Sequence, residues 1–304
     1  KLDSKDPELN GPTRSTDGRL LPNRRFPDIK GMVDYIHAKG LKAGTYISPG
    51  AKTCAGVAGS WQHEAQDAQT FADWGFDFLK YDWCSYSQIF RNADPRLTNS
   101  VSVKEAKGLA GYKFPYQIMW SELRKQNRDI VFNLCQYGMA EVWKWGGEVG
   151  HCWRTTGDLG LERGAKLPGF YNIAFSNARH HEYARPGAWN DPDYILIGWV
   201  GDAHGMGVGK QTTLTPNEQY SYMSLWSLMA APLIFSGDMA LPKLIRLAAS
   251  KRTPLFNGPL ECRLYEYRMV EGSLRRTKPG EAGAVAPSSP EHRTESPLGD
   301  DHNS

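Results

Sequence analysis

Short apolar runs alternate with segments of helical period from Asp28 to Ser236, and this repeat constrains the fold more than any other feature of the chain. Asp28 to Gly40 sets Ile29, Met32, Val33 and Ile36 at helical spacing, with Pro27 before them and Gly40 after, as helix termini require. Leu41 to Ser48 then predicts a strand. Glu64 to Trp74 predicts a helix with Ala65, Ala68, Phe71 and Ala72 on one face, followed by a strand through Phe76, Phe78, Leu79 and Tyr81. A helix near 116–125 leads into a strand at 130–134, and a short segment at 140–145 precedes a strand around Cys152 to Arg154. A helix near 169–177 precedes a strand at 194–198, and a helix over 216–229 runs into a last one at 232–236. Near-continuous apolar strands alternating with helices imply an α/β chain whose sheet is parallel and covered by helices.

The ends of those strands carry the chemistry. Ser48, Asp82, Gln136, Arg154 with Asp158, Asp191 with Asp193, and Asp238 each fall just past an apolar run. One such residue could cap a helix, but so many on one side of a sheet point to the mouth of a (β/α)8 barrel. A doubly wound sheet would gather them at a switch point, and no glycine-rich phosphate fingerprint accompanies them. Asp82 at the tip of a buried strand costs desolvation energy unless it is paired or used. Asp158 follows two strands later, so a barrel would aim both carboxylates at one pocket. Two carboxylates divide labour when one is ionised as nucleophile and the other protonated as acid. A separation of about 5–5.5 Å would favour the retaining route of glycoside hydrolysis. Lys80 lies on the Asp82 strand, and Arg154 offers a donor fork for vicinal hydroxyls.

These residues sit in motifs that resemble glycoside hydrolase family 27, the α-galactosidase and α-N-acetylgalactosaminidase group of clan D. The motifs are Gly40-Leu-Lys-Ala-Gly-Thr-Tyr46, Lys52-Thr-Cys-Ala-Gly56, Gln69-Thr-Phe-Ala-Asp-Trp-Gly75, Leu79-Lys-Tyr-Asp-Trp-Cys84, Trp153-Arg-Thr-Thr-Gly-Asp158 and Pro186-Gly-Ala-Trp-Asn-Asp-Pro-Asp193, in the family's order, with Ala231-Pro-Leu-Ile-Phe-Ser236 similar to the last barrel strand. The resemblance runs from Asp17 to Leu241. It implies a TIM barrel in which Asp82 is the nucleophile and Asp158 the general acid/base, with no cofactor and no metal. It also implies that Tyr46, Lys80, Arg154 and Asp193 contact the sugar, and that Cys54 and Cys84 form a disulfide lining the same pocket. Cys135 is similar to a family cysteine whose usual partner position is Gly150 here, with Cys152 close by. Gln136 stands where many relatives have Glu, at a loop that reads the sugar's 2-substituent. The expected substrate is a terminal α-linked galactoside or oligosaccharide. The alternatives are a related specificity (α-N-acetylgalactosaminidase or β-L-arabinopyranosidase) or a non-catalytic sugar-binding remnant.

The resemblance further implies that the barrel's first two strands, and an acidic pair on the second, lie before Lys1. The expected domains are therefore a partial catalytic barrel over 1–245 and a divergent polar tail over 246–304 without the family's β-sandwich. From Gly280, with Pro287, Pro290 and Pro297, the tail is too polar to bury a core and is expected to be disordered. Open sheet edges would make such a piece marginally stable and weakly active. The net charge of +3 is too small and scattered to suggest nucleic acid, and no run reaches membrane-span length. Secretion, to the periplasm or outside the cell, is what the family implies. His180 and His181 have no third ligand at metal spacing and suit a solvated helix end, and His204 suits a surface loop.

Overall fold

The structure, a computed structural model, describes residues 11–160, 168–200, 210–237, 266–270 and 273–277. The readings on Asp238, His204 and the segment from Gly280 lie outside the described residues.

Five parallel strands form the main sheet: β1 (Gly44–Ile47), β2 (Phe78–Asp82), β3 (Val131–Cys135), β4 (Cys152–Arg154) and β5 (Trp189–Asp191). Their order in the sheet is their order in the chain, without the reversal that a doubly wound sheet requires. The helix Ile29–Ala38 precedes β1, Glu64–Trp74 lies between β1 and β2, and Leu109–Leu123 lies between β2 and β3. Asp28 caps the first by accepting from Gly31 N, and Gly75 closes the second in the left-handed conformation, at φ +86°.

The two faces of the sheet differ. Ile47, Leu79, Tyr81, Phe132, Leu134 and Trp153 share one face and join Val33, Ala68, Phe71, Tyr116, Met119 and Leu123 of the helices in a single core. The register places Tyr46, Lys80, Asn133 and Cys152 side by side on the opposite face. One step nearer the strand ends, that face carries Asp82, Cys135, Arg154 and Asp191. Helices on one face and a polar opposite face are what a barrel wall has, with its interior facing away from the helices. The strands are thus less apolar than expected, because alternate positions serve this interior.

Several boundaries differ from expectation for physical reasons. The helix expected near 116 begins at Leu109 and contains Pro115, which resembles a helix start when read in isolation. Ala65 is exposed, whereas Glu64 and Asp67 are buried, because Arg96 pairs with Glu64 at 2.8 Å and Arg14 grips Asp67 through two hydrogen bonds of 2.7 Å. The fifth strand is Trp189–Asp191, not 194–198. Ile195 instead makes a single parallel bridge to Phe235, which is all the strand expected at 232–236 amounts to. A second core gathers Phe170, Ala174, Ile195, Leu196, Tyr222 and Trp226, with the Phe170 and Tyr222 rings stacked at 4.4 Å. Antiparallel pairs join β6 (Trp199–Val200) to β7 (Lys210–Gln211) and β8 (Glu266–Val270) to β9 (Ser273–Thr277).

Candidate active site

Because the strands are parallel, all five deliver their C-terminal residues to one edge of the sheet. Asp82 ends β2 there and is buried. Both of its oxygens accept a phenol: Tyr46 donates to Oδ2 at 2.8 Å and Tyr137 donates to Oδ1 at 2.6 Å. Tyr46 stands on β1 and Tyr137 in the turn after β3, so three successive elements meet at one carboxylate. Burial, followed by the charge of Asp82, pushes the Tyr46 phenol far above its ordinary pKa. The same burial, with Cys135 and the Asp82 hydrogen bond, does so for Tyr137. Both hydroxyls therefore remain donors across the working pH range.

Cys54 and Cys84 are disulfide-bonded, tying the loop after β1 to the end of β2. Cys84 Sγ lies 3.2 Å from Tyr46 Oη, and Cys54 Sγ lies 3.8 Å from Asp82 Oδ2. A disulfide sulfur carries no proton, so the second approach is a contact and not a hydrogen bond. Cys54, Asp82 and Cys84 are close enough to hold an ion, but the covalent S–S bond removes both thiolates that one would need.

Arg154 ends β4, fully buried, and organises the other side. Its Nη2 lies 3.0 Å from Asp193 Oδ2, 3.2 Å from Asp158 Oδ1 and 2.7 Å from the Gly157 carbonyl. One arm of the expected donor fork is thus committed to the protein, while Nε makes no intramolecular hydrogen bond. Asp193, in a left-handed backbone at φ +83°, also accepts from Leu159 N at 2.9 Å. Burial raises its pKa, with Arg154 opposing. For Lys80, burial works against the charge, yet Cys135, Asp193 and Asp191 outweigh it together and its pKa is raised. Lys80 stays a cation.

Asp158 is exposed while its partner Arg154 is not. The guanidinium of Arg154 also lies 5.9 Å from the centre of the Tyr137 ring. A continuous path of contacts therefore runs from Asp82 through Tyr137 and Arg154 to Asp158. Gln136 is fully buried, its Nε2 donates to the Met139 carbonyl at 2.9 Å, and its Oε1 has no intramolecular partner, like Oδ1 of Asn133. Those two oxygens and Arg154 Nε are groups that a hydroxylated ligand could satisfy.

Cys135 and Cys152 are both buried free thiols. A Cβ at Gly150 would meet Leu134 Cδ1 at 2.2 Å, so a side chain there would require Leu134 to move. His180 stacks on Trp143 at 3.6 Å and is half-buried, not solvated. Tyr137 is the participant that the sequence reading missed. Its only signal was an aromatic residue wedged between Gln136 and Gly138 just past a strand.

Known proteins resemble this chain over most of its length. The family described as alpha galactosidase A matches residues 5–251. The chain belongs to that family. Within the family, it is 37% identical over 224 residues to alpha-galactosidase A of Cellvibrio japonicus, covering 71% of this chain and 47% of the relative. It is 35% identical over 230 residues to the alpha-galactosidase of Oryza sativa, covering 75% and 46%. The alpha-galactosidase of Saccharomyces cerevisiae, solved with raffinose, superposes with a TM-score of 0.61 at 26% identity, over 76% of this chain and 49% of that one. The chain therefore spans about half the length of the alpha-galactosidases it matches. Its five consecutive parallel strands are those of the family's α/β barrel. Among the described residues no helix is long and apolar enough to cross a membrane.

Proposed function

We propose that this chain carries the reacting groups of a retaining glycoside hydrolase that removes terminal α-linked galactose from oligosaccharides or glycoconjugates. The observation that supports this most is the hydrogen bonding of Asp82, whose two oxygens each accept a tyrosine hydroxyl while Arg154 holds Asp158 within the same cluster. Fixed donors hold a carboxylate in an attacking geometry. Asp82 attacks the anomeric carbon while Asp158 gives a proton to the departing oxygen. Water then attacks the glycosyl ester, and Asp158 takes its proton as base. Tyr46, Lys80, Gln136, Arg154, Asp193 and the Cys54–Cys84 disulfide surround the sugar. The disulfide also supports secretion or a periplasmic location, where such bonds persist.

A galacto-configured cyclophellitol epoxide, which esterifies a retaining nucleophile, tests the reading. The expected result is a covalent adduct mapped to Asp82, abolished by Asp82→Asn, together with turnover of an aryl α-galactoside. Galactose binding without an adduct would leave a sugar-binding module in place of an enzyme.

A further inference from the structure

Each oxygen of Asp82 accepts one tyrosine hydroxyl, but the oxygen that bonds to the sugar becomes the ether oxygen of an ester, a poor acceptor. The tyrosine on that side therefore loses most of its hydrogen bond, and the two are not equally free to do so. We propose that Tyr137 is a positioning residue that keeps Asp82 Oδ1 throughout the reaction, which makes Oδ2 the oxygen that bonds to the sugar. This rests on the retaining reading above and extends it to a residue and an atom.

The asymmetry lies in the surroundings. Tyr46 is part-exposed, at 39%, and its hydroxyl already sits 3.2 Å from Cys84 Sγ, a second, weak acceptor to which it can turn. Among the described residues the Tyr137 hydroxyl has no acceptor except Oδ1. Its backbone is also held. Tyr137 has a left-handed φ of +63°, which a bulky residue keeps only when its surroundings impose it. Gly138 imposes it. Its N–H donates to the Arg154 carbonyl at 3.0 Å, and a Cβ there would lie 2.2 Å from the Thr155 carbonyl oxygen, so the turn is pressed against β4. The Arg154 guanidinium also lies beside the Tyr137 ring, 5.9 Å from its centre.

The chemistry follows from which oxygen stays bound. In the first step, an electron pair of Oδ2 forms the bond to the anomeric carbon. The bond to the leaving oxygen breaks with its pair, and that oxygen takes the Asp158 proton. Oδ1 becomes the ester carbonyl and still accepts from Tyr137. In the second step, water bonds to the anomeric carbon, its proton passes to Asp158, and the pair of the broken ester bond returns to Oδ2. A hydrogen bond to a carboxylate is stronger than one to an ester carbonyl. Tyr137 therefore makes Asp82 a better leaving group in the second step.

The test compares Tyr137→Phe and Tyr46→Phe on an activated aryl α-galactoside, after circular dichroism shows that each is folded. For Tyr137→Phe, kcat is expected to fall about tenfold or more, as for loss of a bond to a charged group. KM should fall with it, and a pre-steady-state burst of aryl alcohol should appear as the ester accumulates. Tyr137→His, which keeps an N–H donor, should recover part of the loss and covers the case in which the phenylalanine variant does not fold. Tyr46→Phe should show no burst. Unchanged kcat and no burst in Tyr137→Phe, with Asp82 still esterified by the epoxide, would overturn the role of Tyr137 alone. A burst confined to Tyr46→Phe would reverse the assignment of the two oxygens. Failure of the unaltered chain to form the Asp82 adduct would remove the retaining reading and this assignment with it.

Discussion

Gly138 and His151 show how much single positions around the site contribute. At Gly138 the left-handed backbone and the approach of the Thr155 carbonyl leave no place for a methyl group. Gly138→Ala should therefore cost roughly 2–4 kcal/mol, visible as a lower urea midpoint, and should disturb Tyr137 next to it. A midpoint unchanged from the parent would show that the turn can yield. His151 is buried behind β3, where its Nδ1 accepts from Phe132 N at 2.8 Å. Burial, with Arg124 nearby, pushes its pKa down to about 4. The unfolded chain takes up this proton near pH 6.5 and the folded one does not, so the neutral histidine's contribution is complete above that pH and is lost as pH falls toward 4. Urea titrations at pH 7 and pH 4 should differ by up to about 3 kcal/mol through this residue. His151→Asn, which keeps an acceptor for Phe132, should flatten that part of the dependence. Asp82 and Asp158 were legible in the sequence because an ionisable group at an apolar strand's tip is anomalous. Tyr137 was not, since one tyrosine among 14 carries no signal until the turn that aims it is known.

At the scale of elements, the helix Glu64–Trp74 has the limits its sequence suggested and buries Ala68 and Phe71 as expected, but not Ala65. Apolar spacing pointed to Ala65. The structure buries Asp67, because an arginine far away in sequence supplies the compensating charge and Ser60 Oγ a further bond at 2.7 Å. Long-range pairing of this kind leaves no local trace. It has a measurable consequence. Arg14→Met would strand the Asp67 carboxylate in the core, where an unpaired charge costs roughly 3–5 kcal/mol. Arg14 is itself slightly exposed, so the lower end of that range is expected. Adding Asp67→Asn should recover much of the loss in thermal melts. If the double variant melts no higher than Arg14→Met, the pair is not what holds the helix to the N-terminal segment. The fifth strand was misplaced for a related reason. Residues 194–198 form the more apolar run, but Asn190 and Asp191 pair with β4 and supply polar groups to the interior and to Trp153.

At the scale of the molecule, two arrangements were compatible with alternating strands and helices, and the single helix-covered face decides between them. The barrel arrangement explains why groups from Tyr46 to Asp193 converge although 147 positions separate them. It also explains why one covalent link matters beyond its neighbourhood. The Cys54–Cys84 bond closes a 30-residue separation that contains the whole helix between β1 and β2. Loop closure of that length stabilises a fold by about 3–4 kcal/mol in the chain-entropy account. Here it also fixes the two sulfurs beside Tyr46 and Asp82. Reduction by a dithiol should therefore lower the melting temperature and depress turnover together. The thermal effect follows from the freed loop. The kinetic one follows from proton count, because a reduced Cys54 gains an S–H that can donate to Asp82 Oδ2, the oxygen assigned to attack. Cys54→Ser with Cys84→Ser should reproduce both effects without reductant, whereas Cys54→Ala with Cys84→Ala should reproduce the thermal loss and spare more of the turnover. Equal turnover in the serine and alanine pairs would show that the bond acts through the fold alone.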